Sequence, residues 1–131
     1  MRLRHVRQPP ESKLCSHAVL ATAARVDLGT VIQVAGHEPQ TPREIREAAV
    51  QLNLRPGRLL DGEFLEEVPA AGVWVVTIAK RDKHAVVVAG GRVYDPGWPE
   101  PLSRKTYTWI MRRQRVRVVC FFEVQPPRRA H

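Results

Sequence analysis

The sequence predicts an α+β domain in which N-terminal helices pack on an antiparallel β-meander. Helical periodicity and helix caps fill residues 15–54, whereas residues 73–97 contain apolar, β-branched runs separated by short turns. A chain of 131 residues, of which 44% are hydrophobic, is long enough to bury one core and too short for two. Residues 1–125 are therefore expected to form a single domain, followed by a disordered basic tail at 126–131.

The first helix is expected from about Cys15 to Val26. This segment is rich in helix formers, whereas Pro9 and Pro10 disfavour a regular helix before it. Its leucine, valine and alanine side chains share one apolar stripe. Cys15 should therefore lie in the first turn of a mostly buried helix.

Two further helices are indicated by the residues at their ends. Asp27 is suited to cap the N-terminus of a short second helix, and Gly36 its C-terminus. Thr41 precedes Pro42, a proline at the first helical position, and Glu44 completes the capping-box pattern. This pattern predicts a third helix that runs through residues 41–54.

The strands are concentrated in the second half of the chain. Residues 73–80 and 84–91 are rich in β-branched residues and predict two strands of a hairpin. A third, short strand follows at 92–97, so that the three form an antiparallel meander. Residues 116–124 predict a final strand, in which Cys120 occupies a core position.

Four residues in or beside these elements are typical of a cysteine nucleophile site. A cysteine attacks a carbonyl as the thiolate, and a helix N-terminus with a neighbouring histidine lowers the thiol pKa. Cys15 begins a helix, His84 begins a strand, and Asp95 ends the next strand, where its carboxylate is able to orient the imidazole. Gln8 is the candidate side-chain donor to the oxyanion, together with the backbone N–H of Cys15.

The order of these residues resembles that of the double-glycine leader peptidases. These are papain-like domains attached to many bacteriocin-exporting transporters, and they have free-standing relatives. The similarity covers roughly residues 6–97 and is one of motif and order rather than of continuous sequence. It implies a papain-like cysteine peptidase fold with nucleophile Cys15, general base His84, orienting Asp95 and oxyanion donor Gln8.

Two residues beside the cysteine depart from the family pattern. Members usually carry glycine directly after the nucleophile, where this chain has Ser16, a residue that a helical turn accommodates. His17 is unusual at its position and is a competing partner for the thiol. No transporter portion accompanies these residues, so the family's leader-peptide substrate is not carried over.

The expected reaction is acyl transfer on a peptide or protein substrate. Cys15 would attack an amide carbonyl, and His84 would protonate the departing amine. If water accepts the acyl group from the cysteine, the protein is a peptidase, which is the default that the family resemblance implies. A deamidase, a deconjugating protease and an acyltransferase use the same residues and stay open. An alternative of another class is a catalytically silent papain-like fold that acts as a phage or mobile-element interaction protein.

The positive charge of the chain is compatible with an acidic partner, but arginine greatly outnumbers lysine and is scattered through the sequence, so that an arginine-rich source is the favoured explanation. Its net charge is +8, with a pI near 10.5, and such a surface attracts anions, nucleic acid included. Residues 104–117 contain six basic residues and no acid. Ser103 is expected to cap a short helix here that runs through about Arg112. Its apolar residues Tyr107, Trp109 and Ile110 are expected in the core and its basic residues on the solvated face. Nucleic-acid binding is therefore the less favoured interpretation.

Neither a membrane nor a cofactor is expected. No apolar run approaches the roughly 18 residues that a membrane span needs, and the N-terminus lacks an apolar signal core. The chain is therefore expected to be cytoplasmic. The cysteine and histidine spacings match no zinc pattern, so that no metal is expected either.

Overall fold

The structure of the chain is a computed structural model that describes residues 3–9, 15–39, 41–79 and 82–126. Within these ranges it contains four α-helices and seven strands. The helices are α1 (Cys15–Ala24), α2 (Leu28–Ala35), α3 (Pro42–Gln51) and α4 (Arg104–Gln114). The strands are β1 (Arg55–Pro56), β2 (Leu60–Asp61), β3 (Val73–Ala79), β4 (Lys83–Ala89), β5 (Arg92–Tyr94), β6 (Leu102–Ser103) and β7 (Arg117–Gln125). The α+β class is as predicted, and the predicted tail lies outside the described residues beyond 126.

Local hydrogen bonds set the helix ends. Asp27, Thr41 and Ser103 each accept the backbone N–H three residues later, at 2.9, 3.2 and 3.1 Å. Gly36 ends α2 with φ at 72° and donates its N–H to the Ile32 carbonyl. These bonds satisfy backbone groups that a helix end leaves without partners, and the predicted caps are therefore confirmed.

The strands form one antiparallel sheet in the order β1-β7-β3-β4-β5-β6, with β2 also paired to β7. The predicted meander is present as β3, β4 and β5. The last strand, β7, returns to the other side of β3 and becomes internal to the sheet. Cys120 lies in β7 and is buried, as predicted.

The sheet carries a hydrophobic core on each face. Val87 packs into the core that includes residues of α1, α2 and α3, and its neighbours Val86 and Val88 pack into the core that includes α4. The expectation that the helices share one face is therefore correct for α1 to α3 and wrong for α4. The physical reason is that β4 is apolar on both sides, and an internal strand of this kind needs a cover on both.

The burial of α4 follows its helical period. Tyr107 and Met111 are buried on one side of the helix. Trp109 lies on the opposite side, where it is 61% exposed, and the Arg113 guanidinium carbon is 5.0 Å from its ring centroid. The predicted core position is therefore confirmed for Tyr107 and wrong for Trp109, because residues two positions apart point in opposite directions on a helix.

The first helix, α1, is the most buried helix of the fold. Eight of its residues, 16–23, are buried, which confirms the prediction. Among the described residues no single helix is long and apolar enough to cross a membrane, and α1 with α2 meet that criterion only as a pair bent by 110°.

The N-terminal segment 3–9 joins α1 to the end of β5. The Leu3 N–H donates to the Tyr94 hydroxyl at 3.4 Å, and the Val6 N–H donates to the hydroxyl of Thr22 in α1 at 3.1 Å. The segment therefore holds the first helix beside the end of β5, where the predicted site residues lie.

Candidate active site

Cys15 is the first residue of α1, and its thiol is half-buried. Cys15, His84 and Ala85 line one small cavity, and the His84 side chain and the Ala85 backbone N–H both lower the pKa of the thiol. Both partners stand at the beginning of β4, which packs against α1. The helix N-terminus and the strand end thus bring together Cys15 and His84, which are far apart in sequence, and their catalytic roles stay a prediction.

His84 is held on its other side by Asp95. The distance from His84 Nε2 to Asp95 Oδ1 is 2.7 Å. Because Nε2 is engaged by the carboxylate, Nδ1 is the ring nitrogen left for the thiol. The His84 side chain is 31% exposed and that of Asp95 is 8% exposed, so that the acid is shielded and the imidazole remains accessible.

Asp95 is anchored by two further hydrogen bonds. The Gly97 N–H donates to Oδ1 at 2.9 Å, and the Tyr107 hydroxyl donates to Oδ2 at 2.6 Å. Tyr107 was predicted only as a core residue, and its role in holding the carboxylate was missed. The available signal was its hydroxyl group, because a tyrosine on the buried face of a helix usually has a hydrogen-bond partner.

The charges of this series favour a thiolate. Burial alone would lower the pKa of His84, but hydrogen bonds and charges from Asp95 and Cys15 outweigh it and raise that pKa to about 10. Burial also raises the pKa of Cys15, yet the His84 hydrogen bond and charge, with the Ala85 N–H, lower it below its ordinary value. The pair therefore favours thiolate and imidazolium over thiol and imidazole.

Burial works against the charge of Asp95 as well. It raises the pKa of the carboxyl group, but the hydrogen bond and charge of His84, with the Tyr107 and Gly97 donors, produce a net lowering. Asp95 is therefore a carboxylate near neutral pH, able to orient and stabilise an imidazolium.

Gln8 is brought to the same region through its backbone. Its N–H donates to the carbonyl of Pro96, the residue after Asp95, at 2.8 Å. The Gln8 side chain is half-buried. The structure thus places Gln8 beside the loop that carries Asp95, and its proposed role as oxyanion donor stays a prediction.

The residues that depart from the family pattern are both buried. Ser16 is 6% exposed and His17 is 1% exposed. Neither ring nitrogen of His17 has a hydrogen-bond partner among the described residues. His84 lowers the pKa of the thiol, whereas the His17 ring makes no hydrogen bond to it, so that the competition predicted for His17 does not occur here.

Two cavities meet at His84. One has a volume of about 30 Å³ and is lined by Cys15, Pro42 and Ile45, among others. The other has a volume of about 230 Å³ and is lined by His84, Asp95 and residues of α4. The thiol therefore faces a narrow opening, with a wider space on the other side of the histidine.

A metal centre has no counterpart in the described part of the chain. No group of three or more His, Cys, Asp or Glu side chains is arranged there to hold a metal ion.

The second cysteine, Cys120, differs from Cys15, because burial raises its thiol pKa.

Comparison with protein-family models and with curated proteins assigns no family to the chain. No model of a known protein family matches the chain, and none of the curated proteins matches it. A function for the site has to be inferred from its geometry.

Proposed function

We propose that this chain is a cysteine-dependent amide hydrolase of papain-like fold. The observation that carries the proposal is that Cys15 and His84 line the same cavity, where His84 lowers the pKa of the thiol and is itself hydrogen-bonded to the buried Asp95. A nucleophile, a base and an orienting acid in hydrogen-bond contact are the parts of covalent acyl-transfer catalysis. The antiparallel sheet and the position of the cysteine at a helix N-terminus are compatible with the papain-like fold.

The first half of the reaction forms a thioester. The Cys15 thiolate attacks the amide carbonyl carbon and produces a tetrahedral oxyanion, which the Cys15 backbone N–H and the Gln8 side-chain amide would stabilise. The imidazolium of His84 donates its proton to the amide nitrogen. The C–N bond then breaks, the amine leaves, and the acyl group remains on the sulfur.

The second half regenerates the thiolate. Neutral His84 takes a proton from water, whose oxygen attacks the thioester carbonyl. Collapse of the second tetrahedral intermediate breaks the C–S bond, releases a carboxylic acid and restores the thiolate beside imidazolium. Asp95 keeps the ring oriented in both halves, and the N-terminus of α1 stabilises the negative sulfur.

The substrate we propose is a peptide or protein. A deamidase would release ammonia from a side-chain amide by the same steps, and an acyltransferase would replace water by an amine. The excess of positive charge favours acidic sequences near the bond that is cut. Equal turnover of acidic and basic peptides would contradict this preference.

The test is the rate at which iodoacetamide alkylates Cys15 as a function of pH, followed by mass spectrometry in the wild type and in His84→Ala. Cys120 is the internal control, since its thiol is buried and its pKa is raised. In the wild type we expect a rate that stays high well below the ordinary thiol pKa of about 8.5. In His84→Ala the rate at pH 6.5 should fall at least about tenfold, because the thiolate loses its cationic partner.

A matched variant separates this effect from a general one. His37 is a histidine whose side chain is 86% exposed and whose Nε2 lies 4.0 Å from a carboxylate oxygen of Glu44. His37→Ala should leave the Cys15 profile unchanged. If Cys15 reacts slowly at pH 6.5 and His84→Ala changes nothing, the site does not support nucleophilic catalysis, and a silent fold that binds a partner is the better assignment.

A second candidate function, nucleic-acid binding, is favoured by one observation. On the outer side of α4, Trp109 is 61% exposed with Arg113 stacked over its ring, and Lys105 and Arg112 share that side of the helix. Bases stack on exposed aromatic rings, and cations contact phosphates. The affinity of the protein for single-stranded RNA or DNA should then fall as the salt concentration rises. Binding should be retained in Cys15→Ala and lost in the double variant Trp109→Ala with Arg113→Ala.

A further inference from the structure

Apolar side chains form about half of the wall of the wider cavity beside His84. It lies at the end of β3 and β4, between the sheet and α4, and has a volume of about 230 Å³. Its apolar wall consists of Ile78, Trp98, Ile110, Met111 and Val116. The rest of the wall consists of Asp82, His84, Asp95, Tyr107 and Gln114. The cavity thus combines an apolar surface with polar groups at defined places, as small binding pockets do.

Asp95 and His84, in the wall of the cavity, compensate each other's charge. Asp95 is bonded to His84, Tyr107 and Gly97, so that both of its oxygens already have donors. A charged guest would therefore find no unpaired partner there. The remaining acid in the wall, Asp82, is exposed to solvent, where its charge is screened.

The volume of the cavity indicates the size of its occupant. A protein cavity of about 150 Å³ is large enough to bind benzene, and this one, at about 230 Å³, is larger. Trp98 and Met111 offer an aromatic ring and a thioether, which make favourable contacts with a second ring. An aromatic side chain fits both the volume and the composition of the wall.

The position of the cavity connects it to the reaction. His84 lines this cavity and also the narrow opening at Cys15. When the amide of a substrate lies at the thiol, only the imidazole ring of His84 separates the bond to be cut from the cavity. Because His84 protonates the departing amine, groups attached to that amine pass next to the same ring.

We propose that this cavity is a specificity pocket that receives an aromatic side chain of the peptide substrate, next to the amide that is cut. The proposal rests on the proposed function of Cys15 and His84 and names the substrate class of that site. Ile110 is a specificity-determining residue in this arrangement, since it is half-buried in the wall contributed by α4.

The test compares two electrophiles on the same thiol. The rates of Cys15 alkylation by N-(2-phenylethyl)iodoacetamide and by iodoacetamide are measured, and their ratio is divided by the same ratio for glutathione. The intrinsic reactivity of the thiol cancels in this ratio, whereas the absolute rate and its pH profile report on the proposed function. Burial of the phenyl group should raise the corrected ratio at least about tenfold.

The variant Ile110→Trp fills the cavity and should bring the corrected ratio to about one. Ile32→Trp is the matched control, because Ile32 lies in α2, is 39% exposed and does not line the cavity; its ratio should equal that of the wild type. Excess 2-phenylethanol, added to the wild type, should abolish the preference for the phenylethyl reagent without any substitution.

Three results would contradict the proposal that this cavity is an aromatic specificity pocket. A corrected ratio near one in the wild type means that the aromatic group gains nothing at the site. A high ratio that neither Ile110→Trp nor 2-phenylethanol lowers means that the ring binds elsewhere. A larger ratio for N-(4-aminobutyl)iodoacetamide means that the cavity, through Asp82, selects a cation.

Discussion

The hydrogen bond from Tyr107 to Asp95 supports a prediction about stability. Tyr107→Phe removes one hydroxyl that is buried on α4 and donates to a carboxylate oxygen at 2.6 Å. The ring and its packing are retained, because phenylalanine has the same shape without the oxygen. The substitution therefore tests one charge-assisted hydrogen bond between the helix and the end of β5.

The magnitude follows from the partners that remain. Hydrogen bonds to charged groups contribute about 1.5–3 kcal/mol to stability. Asp95 keeps its bonds to His84 and Gly97 at Oδ1, whereas Oδ2 loses the Tyr107 hydroxyl. Because the imidazolium still compensates the charge of the carboxylate, a loss in the free energy of unfolding of about 1.5–2 kcal/mol is expected. At about 4 °C per kcal/mol for a domain of this size, Tm should fall by about 6–8 °C.

Chemical denaturation and thermal melting at pH 7 provide the assay, with Tyr94→Phe as the matched control. Tyr94 is also buried, but its hydroxyl accepts a neutral N–H, that of Leu3, at 3.4 Å. Its loss should cost about 0.5 kcal/mol. A cost for Tyr107→Phe no larger than that of Tyr94→Phe would refute the charge-assisted bond.

The pH dependence of this difference has a definite sign. The folded-state pKa of Asp95 is lowered, so its contribution is present above the unfolded pKa of about 3.9 and is lost as pH falls through the folded value. The wild type should therefore keep its advantage over Tyr107→Phe from pH 7 to pH 4 and lose it in stronger acid. An advantage that grows on acidification would contradict the assignment.

Two further predictions concern the site and the fold. In Asp95→Asn the imidazolium loses its anionic partner, so the pKa of His84 falls and that of Cys15 rises. Alkylation of Cys15 by iodoacetamide at pH 6.5 should therefore slow about three- to tenfold. An unchanged pH profile of the alkylation rate would contradict this prediction. Gly72 has φ of +96°, and an added Cβ would lie 2.5 Å from Glu123 Oε2 and 3.1 Å from Trp74 Nε1, so Gly72→Ala should cost at least about 1 kcal/mol in unfolding free energy. Gly91→Ala, where φ is +73° but no atom lies within 4 Å, should cost less, and equal costs would mean that the contacts are unimportant.

The secondary structure was predictable wherever a few neighbouring residues decide it. Thr41 caps α3 and Ser103 caps α4 through bonds to N–H groups three residues later, and such bonds depend on little beyond the local chain. The hairpin of β3 and β4 was equally local. Each of these signals acts over a short stretch of sequence, so the sequence alone reveals it.

The candidate site was predictable in part. The order of Cys15, His84 and Asp95 indicated a nucleophile, a base and an acid. The structure places Cys15 and His84 in the wall of one cavity and joins His84 to Asp95 by a hydrogen bond. The role of Tyr107 was not predictable in detail. Its hydroxyl indicated that a partner was needed, but the identity of that partner depends on which face of the sheet α4 covers.

By itself the sequence determined the helices, the meander and the residue types of the site, because capping, turns and apolar periodicity are properties of adjacent residues. Only the tertiary structure decided that β7 pairs with β3, that α4 covers the second face, and that a cavity opens beside His84. The run of valines in β4 has no polar alternation, so it does not reveal which side chains face which helices. That choice is made by contacts between segments distant in the chain, whose free energy depends on how the whole sheet is covered.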